Sequence, residues 1–456
     1  MSLIIKNGTI VTSSNIFIGD IYIEGEKIKE IGSKLDIKKA EVIDAIGKYI
    51  IPGGIDAHTH FNLHTGSFTA SDDFYTGTVA AAFGGTTTII DHMGFGPKGC
   101  SLKHQVGVYH EYADNMAVID YGFHGVFQWV NDDILAEIED MMGLGITSLK
   151  IYLTYDFRLE DDEIYRVFKK MKELKALPAV HSENHEIITY LRDYYSKSGL
   201  RSPIYHAKSR PPECEAEAIS RMINIASLAE SPLYIVHLST KKGLKYIKLA
   251  KDEGQKVYAE TCPQYLVLDE SKYLNEGAKY IMSPPLRKKE DNEALWIGLK
   301  DGTISTVATD HCPFYYEIEK KPAENDFTKC PNGAPGVEER IPIMFSEGVM
   351  KGRISLNKFV EVTSTNPAKL FGIYPKKGEI ANGSDADLII IDPNKEVTLS
   401  KNILHENVDY TPYEGLKLNG YPVITIARGK IIVKEGIFCG NKGYGKYLNR
   451  DKGILF

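Results

Sequence analysis

The chain has 456 residues, room for about three domains at roughly 150 residues each, although an α/β barrel takes ~250 by itself. Hydrophobic residues make up 43% and charged residues 25%, the balance of a globular protein. Acidic residues (61) outnumber basic ones (54) for a net charge of −7, which argues against nucleic acid or an anionic membrane surface as a partner.

The opening MSLIIKNGT reaches a turn at Asn7-Gly8 too early for a signal peptide, and no run of ~18 apolar residues follows anywhere. Residues 3–12 are expected as a hairpin about Asn7-Gly8, followed by a second strand pair in DIYIEGEKIKEIG that turns at Gly25-Glu26. Strands of the same style return near the other end, in ADLIIID (386–392) and VITIARGKIIVKEG (423–436). Both ends are therefore expected to build one small β-domain from residues 1–51 and 373–436, because ~50 residues alone make a poor domain, with two independent β-domains as the other arrangement.

Between them, residues 52–372 alternate apolar β-branched runs with helical periods. Eight runs occur: 51–60, 86–91, 118–127, 146–154, 178–182, 233–239, 257–262 and 304–310. The segment EAEAISRMINIASLAE places Ile219, Met222, Ile223 and Ala226 on one helical face. Asn366 reads as the N-cap of a short helix, with Pro367 at its first position and Gly372 just past its end. Eight buried strands alternating with helices point to a closed (β/α)8 barrel of TIM type, with an open doubly wound sheet as the other arrangement. The Gly-rich, basic tail 437–456 is expected to be an arm on another part of the assembly, or partly disordered.

Barrel enzymes work at the C-terminal ends of their strands. The first run ends in His58-Thr59-His60, and a period of two puts both imidazoles on one side. The fourth carries Lys150, the fifth ends in His181, the sixth in His237 and the eighth in Asp310. One buried histidine is usually a hydrogen-bonded core residue. Five strands bringing His, Asp or Lys to one rim make a metal site, with the nitrogen and oxygen donors that Zn²⁺ accepts. Lys150 shares a strand face with Ser148 and Tyr152, and a buried ammonium needs a partner. Either it pairs with Asp310, or its neutral amine takes up CO₂ to become an anionic carbamate that bridges two metals about 3.5–4 Å apart.

These residues sit in motifs that resemble the dihydropyrimidinase/hydantoinase group of the amidohydrolase superfamily over nearly the whole length. The motifs are PGGIDAHTH (52–60), AAFGGTTTIIDHMGFGP (81–97), SLKIYLTY (148–155), VHSEN (180–184), IVHLS (235–239), ETCPQYL (260–266), SPPLR (283–287), ATDHCP (308–313), PNGAPGVE (331–338) and TSTNPAKLFG (363–372). The resemblance implies two divalent metals, zinc first with manganese or cobalt as substitutes, and CO₂ for carboxylation of Lys150 to N6-carboxylysine. It assigns His58, His60 and Asp310 to one metal, His181 and His237 to the other, and Lys150 between them. It places Tyr155 over the reacting carbonyl and the backbone at Ser283 and Asn332 against the ring's imide-like edge. It also implies a barrel plus a β-sandwich made from both termini, and a homotetramer.

The implied reaction opens the ring amide of a hydantoin or dihydropyrimidine to an N-carbamoyl amino acid. Water is activated between the metals, Asp310 acts as base and then acid, and Tyr155 steadies the oxyanion. One departure is the loop after His60, Phe61 to Phe68, which lacks the group's Asp-x-Pro and offers His64 instead. Other readings are weaker. Cys312 beside His311 makes a poor nucleophile–base pair, since neighbours on a strand face opposite ways. Gly94 to Gly99 spells G-x-G-x-x-G with Asp120 further on, but it follows a second strand where a dinucleotide site needs the first. A non-enzymatic scaffold of the group would lack the ligands that this chain keeps. Dihydroorotase would need an Arg soon after His60, and allantoinase or another cyclic-ureide hydrolase stays open. Six scattered cysteines (Cys100, Cys214, Cys262, Cys312, Cys330 and Cys439) fit free thiols in a reducing cytoplasm.

Overall fold

A computed structural model of the chain describes residues 2–453. Eight parallel strands stand side by side in chain order: Gly54–Thr59, Thr86–His92, Asp120–Val126, Ser148–Tyr152, Leu177–His181, Leu233–Ile235, Val257–Thr261 and Thr306–Val307. Closure comes from backbone just beyond the last strand. Asp310 N–H donates to His58 O at 2.9 Å, and His60 N–H donates to His311 O at 2.9 Å. The same bonds that shut the barrel therefore bring Asp310 beside His58 and His60.

Helices cover the outside because their apolar stripes match the strands. In Pro212–Leu228, Ile219, Met222, Ile223 and Ala226 are buried, and Pro212 occupies the first turn, where its missing N–H costs nothing. In Asp161–Leu174, Ile164, Val167, Phe168 and Met171 face inward, and three acids in the first turn oppose the helix dipole. Asn366 is not a cap. Leu356–Val360, Glu361–Thr365 and Asn366–Leu370 run on without a break, capped at Ser355, and the Asn366 side chain donates to Ser305 O instead.

The two chain ends build one nine-stranded sheet. Strand Leu388–Thr398 joins the N-terminal half by pairing antiparallel with Tyr49–Pro52, and Leu3, Ile5, Ile21, Ile23, Leu388, Ile390 and Ile426 share one core. The expected hairpin at Asn7-Gly8 is a single strand, Ser2–Val11, with a bulge. Asn7 takes φ +63° and gives its N–H to Asp20 Oδ1. Only Gly53 separates strand Tyr49–Pro52 from the first barrel strand, and a Cβ there would lie 2.0 Å from Thr87 Oγ1.

The tail packs on its own chain. Leu448 N–H donates to Tyr121 O, and the buried Arg450 donates to Ser148 Oγ at 3.0 Å and Phe123 O at 2.5 Å. It covers the N-terminal mouth of the barrel, opposite the histidine rim. Residues 454–456 of the expected arm lie outside the described residues. Among the described residues no helix is long and apolar enough to cross a membrane.

Candidate metal centre and substrate cavity

His58 and His60 end the first strand on one side, and each Nε2 faces Asp310 Oδ1, at 3.0 and 3.2 Å. The three side chains form a group whose donor atoms converge closely enough to hold a metal ion. Burial opposes a charge on Asp310, yet His58, His60 and His237 around it hold its carboxyl well below the usual range, so it is an anion at neutral pH. Burial drives the His60 pKa down to about 4, which leaves a neutral imidazole. For His58, burial and Lys150 lower the pKa, but Glu260 and Asp310 outweigh them.

The second pair of histidines faces the first across the barrel mouth. His181 Nδ1 lies 2.9 Å from His237 Nε2, and the rings of His58 and His237 are 5.4 Å apart. Glu183 Oε2 sits 2.7 Å from His181 Nε2, and the same oxygen accepts from Arg210 Nη1 at 2.5 Å. A carboxylate there claims the Nε2 proton, so the Nδ1 lone pair is the one that points at His237. Burial lowers the pKa of both rings. Neutral imidazoles with lone pairs converging beside a carboxylate are a donor set that fits divalent cations.

Lys150 lies beside the first group and lines the same cavity as the second. Its side chain is buried, and Nζ lies 3.4 Å from His58 Nε2. The alternative of a salt bridge to Asp310 does not hold, because among the described residues Lys150 forms no ion pair and the Asp310 carboxylate is turned to the two histidines. Burial pulls the amine's pKa to about 8.

A cavity of about 880 Å³ opens above these side chains. Its wall brings together Tyr155, Ser283 and Asn332, all three of the expected ring contacts, with the four histidines, Lys150 and Asp310 at its floor. Burial raises the Tyr155 pKa, so its hydroxyl keeps its proton. Tyr155, His237 and Asp310 all adopt left-handed backbone, with φ +75°, +39° and +56°. Such conformations cost about 1–3 kcal/mol each and gather where function requires them. His64 is exposed at the cavity's edge, and its Nδ1 lies 2.8 Å from Thr69 Oγ1 within its own short hairpin.

The rivals fare poorly. Gly94 to Gly96 leads into the same cavity wall, and Asp120, the acid a dinucleotide site would need, is buried under Lys377 and Arg428. Burial pushes the Cys312 thiol up, and His311 is engaged with Asp72.

Several contributors were not foreseen. Glu260 Oε1 lies 2.6 Å from His58 Nδ1 and accepts the His237 N–H, so one carboxylate orients a histidine of each pair. Tyr234 donates to its other oxygen. His92 stacks on His124 with ring centroids 4.2 Å apart and lies 4.3 Å from the His58 ring, flooring the site. Glu183 stands two residues past His181 in VHSEN and Glu260 opens ETCPQYL, so both lay in quoted motifs without a role.

Residues 49–432 match the model of the amidohydrolase family. D-phenylhydantoinase of Escherichia coli O1:K1 is 50% identical over 453 residues, covering 99% of this chain and 98% of its own. The crystal structure of dihydropyrimidinase from Brevibacillus agri superposes with a TM-score of 0.98 at 47% identity, and that of a D-hydantoinase with 0.97 at 48%, each covering 99% of both chains.

Proposed function

The chain belongs to the amidohydrolase family, and we propose that it is a metal-dependent cyclic amidase that opens hydantoin or dihydropyrimidine rings to N-carbamoyl amino acids, with a D-phenylhydantoinase-like preference. The observation that carries the reading is the convergence of His58, His60, His181, His237, Asp310 and Lys150 at the floor of one cavity.

In this reading His58, His60 and Asp310 hold one divalent ion and His181 and His237 a second, zinc in preference to manganese or cobalt. When bound, the metals polarise the scissile carbonyl and lower the pKa of water to about 7. Lys150 loses its ammonium proton, adds CO₂ through Nζ and gives up a second proton from that nitrogen, giving N6-carboxylysine, an anion with two oxygens that would serve both groups. Its pKa near 8 supports this, since a sizeable fraction is free amine at neutral to mildly basic pH. Asp310, an anion at neutral pH, takes a proton from the attacking water and returns it to the departing ring nitrogen. The Tyr155 hydroxyl donates to the carbonyl oxygen as it becomes negative. Backbone groups at Ser283 and Asn332 hold the ring edge. The assembly is proposed as a homotetramer, to be read by light scattering, and six unpaired cysteines support a cytoplasmic setting.

The test is side-by-side hydrolysis of dihydrouracil, hydantoin, D- and L-phenylhydantoin, allantoin and dihydroorotate, with and without chelator. Metal-dependent turnover led by a hydantoin or dihydrouracil is expected. Preference for allantoin or dihydroorotate would replace the substrate assignment, and no turnover of any ring by zinc-loaded protein would refute the activity.

A further inference from the structure

Lys150, Lys320 and Lys377 are buried lysines with three different environments. Lys377 has the carboxylates of Asp120, Asp385 and Asp387 within 2.5, 3.1 and 2.5 Å. Lys150 faces the metal donors. Lys320 has neither, and among the described residues it forms no ion pair although it is wholly withdrawn from water. Its Nζ donates instead to three backbone carbonyls: Ile281 at 2.9 Å, Pro331 at 3.0 Å and Gly333 at 2.7 Å. An ammonium has three donors and no acceptor, so the match is complete, and this offsets the cost of burying it.

The three carbonyls belong to two segments far apart in sequence. One leads through Ile281 to Ser283, and the other contains Asn332. Ser283, Pro331, Asn332 and Gly333 all line the cavity. Gly333 N–H also donates to Ile281 O at 3.1 Å, so the segments meet on the lysine and on each other. A Cβ at Gly333 would lie 2.3 Å from Cys312 O, so on that side the second segment has no slack. The peptide that offers the Pro331 carbonyl to the ammonium carries the Asn332 N–H at its other end. A cation on the oxygen polarises that peptide and makes its N–H a stronger donor.

We propose that Lys320 is a positioning residue for substrate, its ammonium clamping segments 281–283 and 331–333 at the separation that grips the ring. The proposal rests on the cyclic-amide reading above, which gives both segments a substrate to hold. Lys320 itself touches neither substrate nor metal.

The test compares zinc-loaded wild type with Lys320→Met, reading metal content, kcat, KM on the best hydantoin, and hydrogen exchange of peptides spanning 279–286 and 329–335. Unchanged metal content, a KM raised tenfold or more, a smaller fall in kcat and faster exchange in both segments are expected. Lys377→Met is the control, a buried lysine whose loss lowers the melting temperature and leaves KM alone. A folded Lys320→Met with wild-type KM and exchange overturns the proposal, and so does one that only melts earlier. Should Lys320→Met fail to fold, Lys320→Gln keeps two donors and should show the same split more weakly, with an unchanged KM refuting the clamp. Exchange needs no turnover, so it judges the clamp even if wild type opens none of the rings and the activity itself fails.

Discussion

Glu260→Gln is the perturbation that most sharply separates a metal site from a cluster of buried histidines. The Glu260 carboxylate serves His58 Nδ1 at 2.6 Å, the His237 N–H at 3.1 Å and the Tyr234 hydroxyl at 2.9 Å, with no solvent access. It engages His58 at Nδ1, so that Nε2 is the nitrogen turned toward Asp310 and offered to a metal. Gln keeps the shape but loses the charge, and its NH₂ can face one of the three donors. Replacing an outer partner of a ligating histidine typically costs 10–100-fold in metal affinity or activity, about 1.4–2.7 kcal/mol. Competition of the variant against a chromophoric chelator, with kcat/KM measured on the metal-saturated form, should show a loss in that range and a melting temperature near wild type for the metal-free protein. Glu260→Ala should be far worse, since it orphans two buried donors, His58 Nδ1 and the His237 N–H, at about 1–3 kcal/mol each, while the Tyr234 hydroxyl keeps Thr306 Oγ1. A Gln variant with wild-type affinity and rate would mean that His58 needs no fixed tautomer, and the metal assignment at that position would fall.

Lys150→Ala should lose most activity while staying folded, with partial rescue by acetate or propionate, whereas Lys150→Arg should be inactive and beyond rescue because guanidinium stays charged; an active Arg variant would falsify the carbamate reading. Glu183 supplies a pH signature. Burial pushes its carboxyl up, but Arg210 and His181 more than reverse this and hold it at about 2, against 4.5 for a free glutamate. A pKa depressed by folding adds stability above the unfolded value that is lost as pH falls through the folded one. Metal-free wild type should therefore lose melting temperature from pH 4.5 toward pH 2 more steeply than Glu183→Gln, and parallel profiles would contradict the assigned ion pair.

What the sequence made legible is what carries a periodicity or a rare residue type. The eight barrel runs were visible because parallel strands are buried on both faces, and His58 and His60 stood out because alternation puts both on one side. Asn7-Gly8 misled because the left-handed residue of a tight turn is also the residue a bulge needs, and pairing with Ile16–Glu24 decided between them. The tail looked like an arm because Gly-rich composition says nothing about Arg450, whose partners include the Phe123 carbonyl. Lys320 was silent for the same reason, since backbone acceptors leave no mark on the sequence. Glu260 and Glu183 lay in the open as strand-end acids, but an orienting carboxylate looks like any other until the ring it faces is known.

The central claim is that Lys150 joins two metal sites at the barrel mouth. Anomalous diffraction from zinc-loaded crystals grown with bicarbonate measures this most directly. Two peaks are predicted, one among His58, His60 and Asp310 and one between His181 and His237, with continuous density from Lys150 Nζ reaching both. A single peak, or two peaks flanking an unmodified Lys150 amine, would contradict the account.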